Sequence, residues 1–254
     1  PCIICNPLVK FRLLAEKAAE LGCAFIATGH YARVEVCEDG INRIAVPESA
    51  ARDQSYMLYR LPQDILKKLI LPLGEFEKED IREMAREMNL ACADAPDSME
   101  ICFIPDGDYS AYIRARGYSP KDGHFFGPDG SDLGPHAGVD HYTVGQRKGL
   151  GIAAGRPLFV KAILSNGDIQ LAETGQEYSS RLTVADLATP DGQPLPGGEY
   201  MVKIRSAAKP GLCSYDGSGT VTFPEPVRAP APGQSAVFYR DGLVYGGGII
   251  DETE

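Results

Sequence analysis

The sequence predicts an α/β segment at the front of the chain, a turn-rich middle, and a small all-β domain at the end. Three observations carry this. Apolar residues recur at helical spacing near the start and give way to a short apolar run and a polar glycine loop, the order of an α/β sheet. Residues 107–150 are rich in Gly, Asp, Tyr and Pro and read as turns and short elements. From about Pro157, β-type runs alternate with Asn166-Gly167, Asp191-Gly192, Asp216-Gly217 and Asp241-Gly242, which are hairpin signals.

Asn6 suits an N-cap and Pro7 the first helical position; Leu8, Phe11, Ala15, Ala18 and Leu21 form the apolar face, and Gly22 the stop. Residues 23–27 are long enough for a buried strand and too short for a helix. Thr28, Gly29 and His30 then fall at the strand's carboxyl end, where α/β sheets bind ligands. A second amphipathic helix runs through Ile81, Met84, Ala85 and Met88, with Glu79 and Asp80 at the end its dipole favours. Residues 201–204 and 236–239 fit strands of a barrel extending over about 170–254, and the Pro- and Gly-rich stretches near 190–198 and 224–233 read as loops.

At 254 residues the chain is long enough for one to three domains, and 44% hydrophobic with 24% charged residues is ordinary globular composition. No apolar run approaches the ~20 residues that span a bilayer, and no secretory signal opens the chain. Seven scattered cysteines favour a reducing, cytoplasmic setting over a disulfide scaffold. The net charge of −10 argues against nucleic acid, yet basic residues gather at Arg147-Lys148, at Arg156 with Lys161, and at Lys203, Arg205 and Lys209, and local potential decides where a polyanion docks. A start at Pro1, without methionine, suggests a fragment.

Two cysteines stand in distinctive frames. Cys2-x-x-Cys5 has the spacing of a zinc knuckle or a dithiol, but no second such pair completes a zinc site, and two thiols packed at a loop is the plainer alternative. Placed just before a helix start, Cys5 gains thiolate character from the dipole and free N–H groups. Cys102, in Ile101-Cys102-Phe103-Ile104, reads by itself as a buried, inert core cysteine, as do Cys23 and Cys92. His30 is as well explained by a structural as by a functional role. Residues 52–55 fit a solvated turn or a polar contact loop. The loop 145–151 sets Arg147 and Lys148 among glycines, an arrangement that lets backbone and cations approach phosphates.

Taken in order, the motifs resemble a family. Pro1-Cys2-x-x-Cys5-Asn6 with Lys10-Phe11 is followed by Ala27-Thr28-Gly29-His30-Tyr31-Ala32-Arg33 and Asp53-Gln54-Ser55-Tyr56. Asp97-Ser98-x-x-Ile101-Cys102-Phe103-Ile104, Tyr142-Thr143-Val144-Gly145-Gln146-Arg147-Lys148-Gly149-Leu150-Gly151 and Pro232-Gly233-Gln234-Ser235-Ala236-Val237 complete the series. Over essentially its whole length the chain resembles the bacterial tRNA-specific 2-thiouridylases, of the PP-loop ATP pyrophosphatase superfamily. The family's N-terminal Ser-Gly-Gly-x-Asp-Ser-Ser loop and most of its first sheet have no counterpart here, and Arg52 stands where lysine is common.

The resemblance implies a partial adenine-nucleotide-hydrolase-like catalytic domain over 1–107, with an insertion at about 33–58 packing with the central domain. A central tRNA-binding domain over 108–168 and a C-terminal β-barrel over 169–254 follow. It implies ATP-dependent 2-thiolation of the wobble uridine, ATP (with Mg2+ at the absent loop) activating the C2 oxygen as an adenylate; with that loop absent, the chain alone is expected to be inactive. Cys102 would carry a persulfide and Cys5 would be the partner nucleophile, with a transient Cys5–Cys102 disulfide. Gly29 would line the ATP site. Pro1, Cys2, His30, Arg52, Asp53, Gln54, Arg147, Lys148, Arg205, Ser206 and Gln234 would meet tRNA, through its anticodon stem-loop and with the target base everted. A cysteine desulfurase or sulfur relay protein would donate sulfur; no metal site and no membrane are implied. The alternatives are an RNA-binding fragment without activity, and a persulfide or redox carrier using Cys2, Cys5 and Cys102.

Overall fold

The first helix begins earlier than the sequence predicts. In the computed structural model, which describes residues 1–95, 101–104, 106–152 and 155–254, α1 (Cys2–Cys5), a π-helical turn (Asn6–Lys10) and α2 (Phe11–Glu20) run on without a break. Pro7 has no N–H to give and its ring crowds the carbonyl four residues back, so the helix widens there, and Phe11 N–H reaches Asn6 O. Asn6 is therefore not a cap: it is buried and donates from Nδ2 to Met57 O at 3.0 Å. The helix end is as expected, with Gly22 N–H on Ala19 O and Cys23 N–H on Ala18 O in a Schellman arrangement. Only the middle of the anticipated apolar face is covered. Phe11 is fully buried and Ala15 and Ala18 pack on the core, while Leu8 and Leu21 are exposed.

The chain divides into two compact units, one of Pro1–Asp97, Arg181–Glu225 and Pro232–Glu252, the other of Ser98–Ser180, Pro226–Ala231 and Thr253–Glu254. In the first, β1 (Ile26–Ala27) pairs in parallel with β4 (Leu69–Ile70) as a two-stranded sheet. The five-residue buried strand expected at 23–27 is thus two residues long. Cys23, Ala24 and Phe25 are exposed, because among the described residues only β4 lies beside β1. The amphipathic α4 (Lys78–Glu87) forms with Glu79 and Asp80 in its first turn, yet buries no residue.

The insertion at 33–58, expected beside the central domain, joins the barrel instead. Strands β2 (Arg33–Val36) and β3 (Asn42–Ala45) form a hairpin, and Ala45 pairs with Leu243 of β14 (Leu243–Thr253). The reason is burial: Tyr56, Leu58 and Tyr59 share one core with Phe11, Ile26, Ile65 and Leu66 of α3 (Gln63–Leu66), and Val237, Tyr239 and Val244 of the barrel. Gly247 permits this contact, since a Cβ there would lie 2.7 Å from the Tyr59 ring.

Six strands close the barrel in the order β13 (Ser235–Arg240), β10 (Gly198–Lys203), β11 (Gly211–Tyr215), β12 (Thr220–Arg228), β9 (Tyr178–Ala188), β14, with β14 returning to β13. Asp216-Gly217 and Asp241-Gly242 make the predicted hairpins, both residues of the latter lying at positive φ as a type I′ turn requires. Asp191-Gly192 does not. It lies between β9 and β10, which are not neighbours in the barrel, and so serves a crossing loop.

The second unit carries a four-stranded sheet, β6 (Asp132–Pro135), β5 (His124–Phe126), β8 (Ile169–Glu173), β7 (Leu158–Ile163), with α5 (Tyr109–Arg114) before it. Phe125, Leu150, Leu158, Val160, Ile169 and Leu171 form its core. The barrel was expected from 169; the structure gives 169–173 to this sheet instead, because Asn166-Gly167 turns β7 into β8 and Phe125 pairs with Ile169. Among the described residues no helix is long and apolar enough to cross a membrane.

Candidate functional site

Pro1 and Cys2 are exposed at the helix start, and Pro1 O accepts from the N–H groups of Ile4 (3.1 Å) and Cys5 (2.8 Å). Cys5 is half-buried one turn inside the helix, and not ahead of it as the cap reading required. Among the described residues no cluster of three or more His, Cys, Asp or Glu side chains could hold a metal ion.

Gly29 and His30 follow β1 at its carboxyl end. Gly29 is exposed, and a Cβ there would make ordinary 3.5 Å contact with Leu73, so the chain itself does not demand glycine. The open backbone suits close approach of a nucleotide's flat ring. His30 is half-buried against Phe11 (ring centroids 5.5 Å apart), its Nδ1 2.8 Å from Thr28 Oγ1. Burial, reinforced by the Lys10 charge, lowers its pKa to about 4, so the ring is neutral at pH 7. It therefore offers hydrogen bonds and a face for stacking, not a cation.

A network leads from there to the barrel. Gln54 accepts the Tyr31 N–H on Oε1 at 2.8 Å and gives its own N–H to Tyr31 O at 2.9 Å, holding the segment after His30. Its side-chain oxygen is thus used for positioning. Asp53 accepts Ser55 N–H on Oδ1 and the Lys203 ammonium on Oδ2, both at 2.9 Å. The Lys203–Asp53 pair is nearly dry, its side chains 10% and 11% exposed. Ser55 and Tyr239 hydroxyls lie 3.1 Å apart, Tyr56 donates to Ser235 O at 2.8 Å, and burial pushes the Tyr239 hydroxyl pKa up. Gln234, exposed, adjoins Ser235.

These contacts border a cavity of about 790 Å3 lined by Ala50, Ala51, Asp53, Lys203, Ser206, Ala208 and others from the same three stretches of chain. Arg205 and Ser206 lie just past the end of β10. The sequence grouped Lys203 with other cations and missed its partner. A lysine inside the apolar run 201–204 is a signal of pairing, but nothing local names an acid 150 residues away.

In the second unit Cys102 lies in a turn and is exposed, contrary to its reading as buried core, while Ile104 takes the buried position. The apolar run is a turn closed by Ile104 N–H on Ile101 O, which turns Cys102 and Phe103 outward. Cys23 and Cys92 are exposed as well. The buried cysteine is Cys213, its thiol pushed up to about 12 by burial. Asp97 and Ser98 lie outside the described residues. Arg147 and Lys148 are exposed on a loop that Gln146 pins through Thr143 N–H and Lys148 O.

Comparison with known proteins bears on what these elements do. Residues 1–106 match the family model "tRNA methyl transferase HUP domain", residues 113–170 "tRNA methyl transferase PRC-barrel domain", and residues 181–250 "Aminomethyltransferase beta-barrel domain". A tRNA-specific 2-thiouridylase of Carboxydothermus hydrogenoformans is 43% identical over 99% of this chain and 71% of its own length. The chain belongs to the tRNA-specific 2-thiouridylase family. Members from Acetivibrio thermocellus (42% identical) and Lachnoclostridium phytofermentans (40%) each match over 98% of the chain and 72% of their own length. The family's order of parts, a HUP domain, a PRC-barrel domain and a β-barrel, is the order of elements along this chain.

Proposed function

We propose that the chain acts in ATP-dependent 2-thiolation of the wobble uridine of tRNA, as a tRNA-uridine 2-sulfurtransferase. The similarity to 2-thiouridylases along 99% of the chain carries this reading. Segments 1–107 and 108–173 would act as catalytic and central tRNA-binding parts, and the strands from β9 onward as the barrel. ATP with Mg2+, when bound, supplies the activation that turns the uridine C2 oxygen into a leaving group. Gly29 lines its site.

Cys102 receives sulfur from a donor protein, a cysteine desulfurase or relay protein, as a persulfide. Its exposure supports this, since the donor must reach the thiol. Two balanced routes follow. In one, the Cys5 thiolate attacks the inner sulfur of the persulfide, forming the Cys5–Cys102 disulfide and releasing hydrosulfide, which adds at C2 and expels the activated oxygen. In the other, the terminal persulfide sulfur attacks C2 and expels the activated oxygen, and Cys5 then attacks the Cys102 sulfur, breaking the S–S bond and freeing the thiocarbonyl. Either way a dithiol reductant must return both thiols.

Pro1, Cys2, His30, Arg52, Asp53, Gln54, Arg147, Lys148, Arg205, Ser206 and Gln234 form the tRNA-facing set. Gln54 acts through Tyr31, and neutral His30 presents a flat, uncharged ring beside the target base, which leaves the stack to be modified. Thiouridine formation on tRNA with ATP and a sulfide source, read by mass spectrometry, tests the proposal. Formation that persists in Cys102→Ser would overturn the persulfide role.

A second reading, RNA binding without turnover, is favoured by the two-stranded β1–β4 sheet, which is little of a nucleotide-binding sheet. Salt-dependent tRNA binding with no ATP consumption by the chain alone is its expected signature. Binding that is absent altogether would instead favour a persulfide or redox carrier.

A further inference from the structure

We infer that the cavity on the exposed face of α5 docks the protein that delivers sulfur to Cys102, by taking an aromatic side chain that carries an O–H or N–H. This rests on the reading of Cys102 as the persulfide carrier. Tyr109 and Ile113 stand one turn apart on α5, and the turn that follows brings in Arg116 and Tyr118; with Asp140 they line a cavity of about 490 Å3. Gly117, at positive φ, makes that turn, and Tyr118 N–H reaches back to Ile113 O at 3.1 Å. The walls are mainly apolar and aromatic, with Tyr109 and Tyr118 exposed. None of the tRNA-facing residues lines it.

A chain of contacts joins this cavity to the thiol. The Arg116 guanidinium lies 3.4 Å from the centroid of the Tyr112 ring, and the Phe103 ring lies 5.5 Å from that of Tyr112. Phe103 is exposed and follows the exposed Cys102 in the chain. For sulfur to pass, the Cys102 thiolate attacks the terminal sulfur of the donor's persulfide. The new S–S bond forms as the donor's breaks, and the donor cysteine leaves as a thiolate. An interface of ordinary size, about 800 Å2 on each partner, centred on Cys102 covers Phe103, Tyr112, Arg116 and the cavity.

The residues suit a protein and not RNA. Tyr, Phe and Arg are the types that concentrate at the centres of protein interfaces. The arginines are engaged, Arg114 with Asp140 at 3.6 Å and Arg116 on Tyr112, and Asp106 and Asp108 are exposed at the start of α5. A phosphate backbone finds no basic footprint there. Asp140 specifies the tip of the occupant. Its side chain is 4% exposed, Oδ2 accepts from Ser110 Oγ, and Oδ1 has no partner among the described residues. A buried carboxylate oxygen without a donor is costly. Arg114 already balances the charge, so a neutral donor serves: a tyrosine O–H or a tryptophan N–H, whose ring packs on the tyrosine walls.

The test uses the full chain and follows radiolabelled sulfur from cysteine, through a cysteine desulfurase, to Cys102. Glutathione persulfide serves as the donor that needs no docking. Tyr118→Glu, a change at an exposed position, should slow loading by the desulfurase roughly tenfold, the scale of one anchoring aromatic, and leave loading by glutathione persulfide within about twofold. Unchanged loading by the desulfurase overturns the docking surface and leaves Cys102 as the carrier. Slowing with both donors also overturns it, because the change then acts on the thiol itself. Normal loading with lost affinity for an anticodon stem-loop, read by fluorescence anisotropy, makes this an RNA surface and overturns the protein assignment. Loading by glutathione persulfide but by neither the desulfurase alone nor the desulfurase with a relay protein overturns the protein partner. No sulfur on Cys102 from any donor overturns the persulfide reading itself.

Discussion

The barrel and the front α/β segment belong to one compact unit, yet they solve the problem of unpaired edges in opposite ways. The barrel closes on itself through β13 and β14, so its backbone groups are paired internally. The α/β segment has a two-stranded sheet, and around it Phe25 is 59%, Leu21 68% and Met88 70% exposed. The segment supplies most of the core it shares with the barrel, and Tyr56 and Tyr59 tie it there through their bonds to Ser235. The segment carrying Cys2, Cys5 and His30 thus presents surface that a protein usually covers.

The largest expected effect tests chemistry in the exposed elements and not the barrel. Cys102→Ser should reduce thiolation by at least about 10^3, the scale of losing a residue that acts as part of a catalytic unit, while tRNA affinity changes less than twofold. Mass spectrometry of the product and filter binding separate the two.

The second prediction breaks the dependence of one region on the other. Tyr59 is 1% exposed at their junction, and its hydroxyl lies 3.2 Å from Ser235 Oγ. Tyr59→Ala should cost about 3–5 kcal/mol. Hydrogen exchange should show protection lost first in residues 1–70 and retained in β10 and β11. Equal loss in both would mean the barrel depends as much on the segment.

The third concerns pH. The folded pKa of His30, about 4, lies below the ordinary 6.5, so the unfolded chain binds more protons between these values. Stability should therefore be unaffected above pH 6.5 and fall as the pH drops toward 4, by about 1 kcal/mol by pH 5 once solvent screening is allowed for. His30→Gln should flatten that slope in urea titrations. The smallest effect is expected on the uncovered face: Leu21→Ser should change stability by less than about 0.5 kcal/mol while reducing self-association in sedimentation.

Much of the fold is legible because its signals are local. Gly22, Asp216-Gly217 and Asp241-Gly242 end a helix and turn two hairpins by backbone preferences that hold wherever they occur. Asp191-Gly192 has the same dipeptide and joins strands that never pair, since which strands are neighbours is a property of the closed barrel. The candidate site divides likewise. Gly29 and His30 at a strand end, and the Arg147-Lys148 loop, follow from short stretches. The exposure of Cys102 does not: its apolar neighbours suggest a buried core position, but a turn directs Ile104 inward and Cys102 outward.

By itself the sequence determined the order of an α/β segment, a turn-rich middle and a β-barrel, together with the series of motifs shared with 2-thiouridylases. Tertiary structure alone decided that Pro7 widens a helix and does not start one, that residues 33–58 join the barrel, and that Lys203 meets Asp53. The physical reason is range. Capping, turn and periodicity energies act over a few residues, whereas pairing a nearly buried ammonium with a carboxylate depends on which distant surfaces the core brings together.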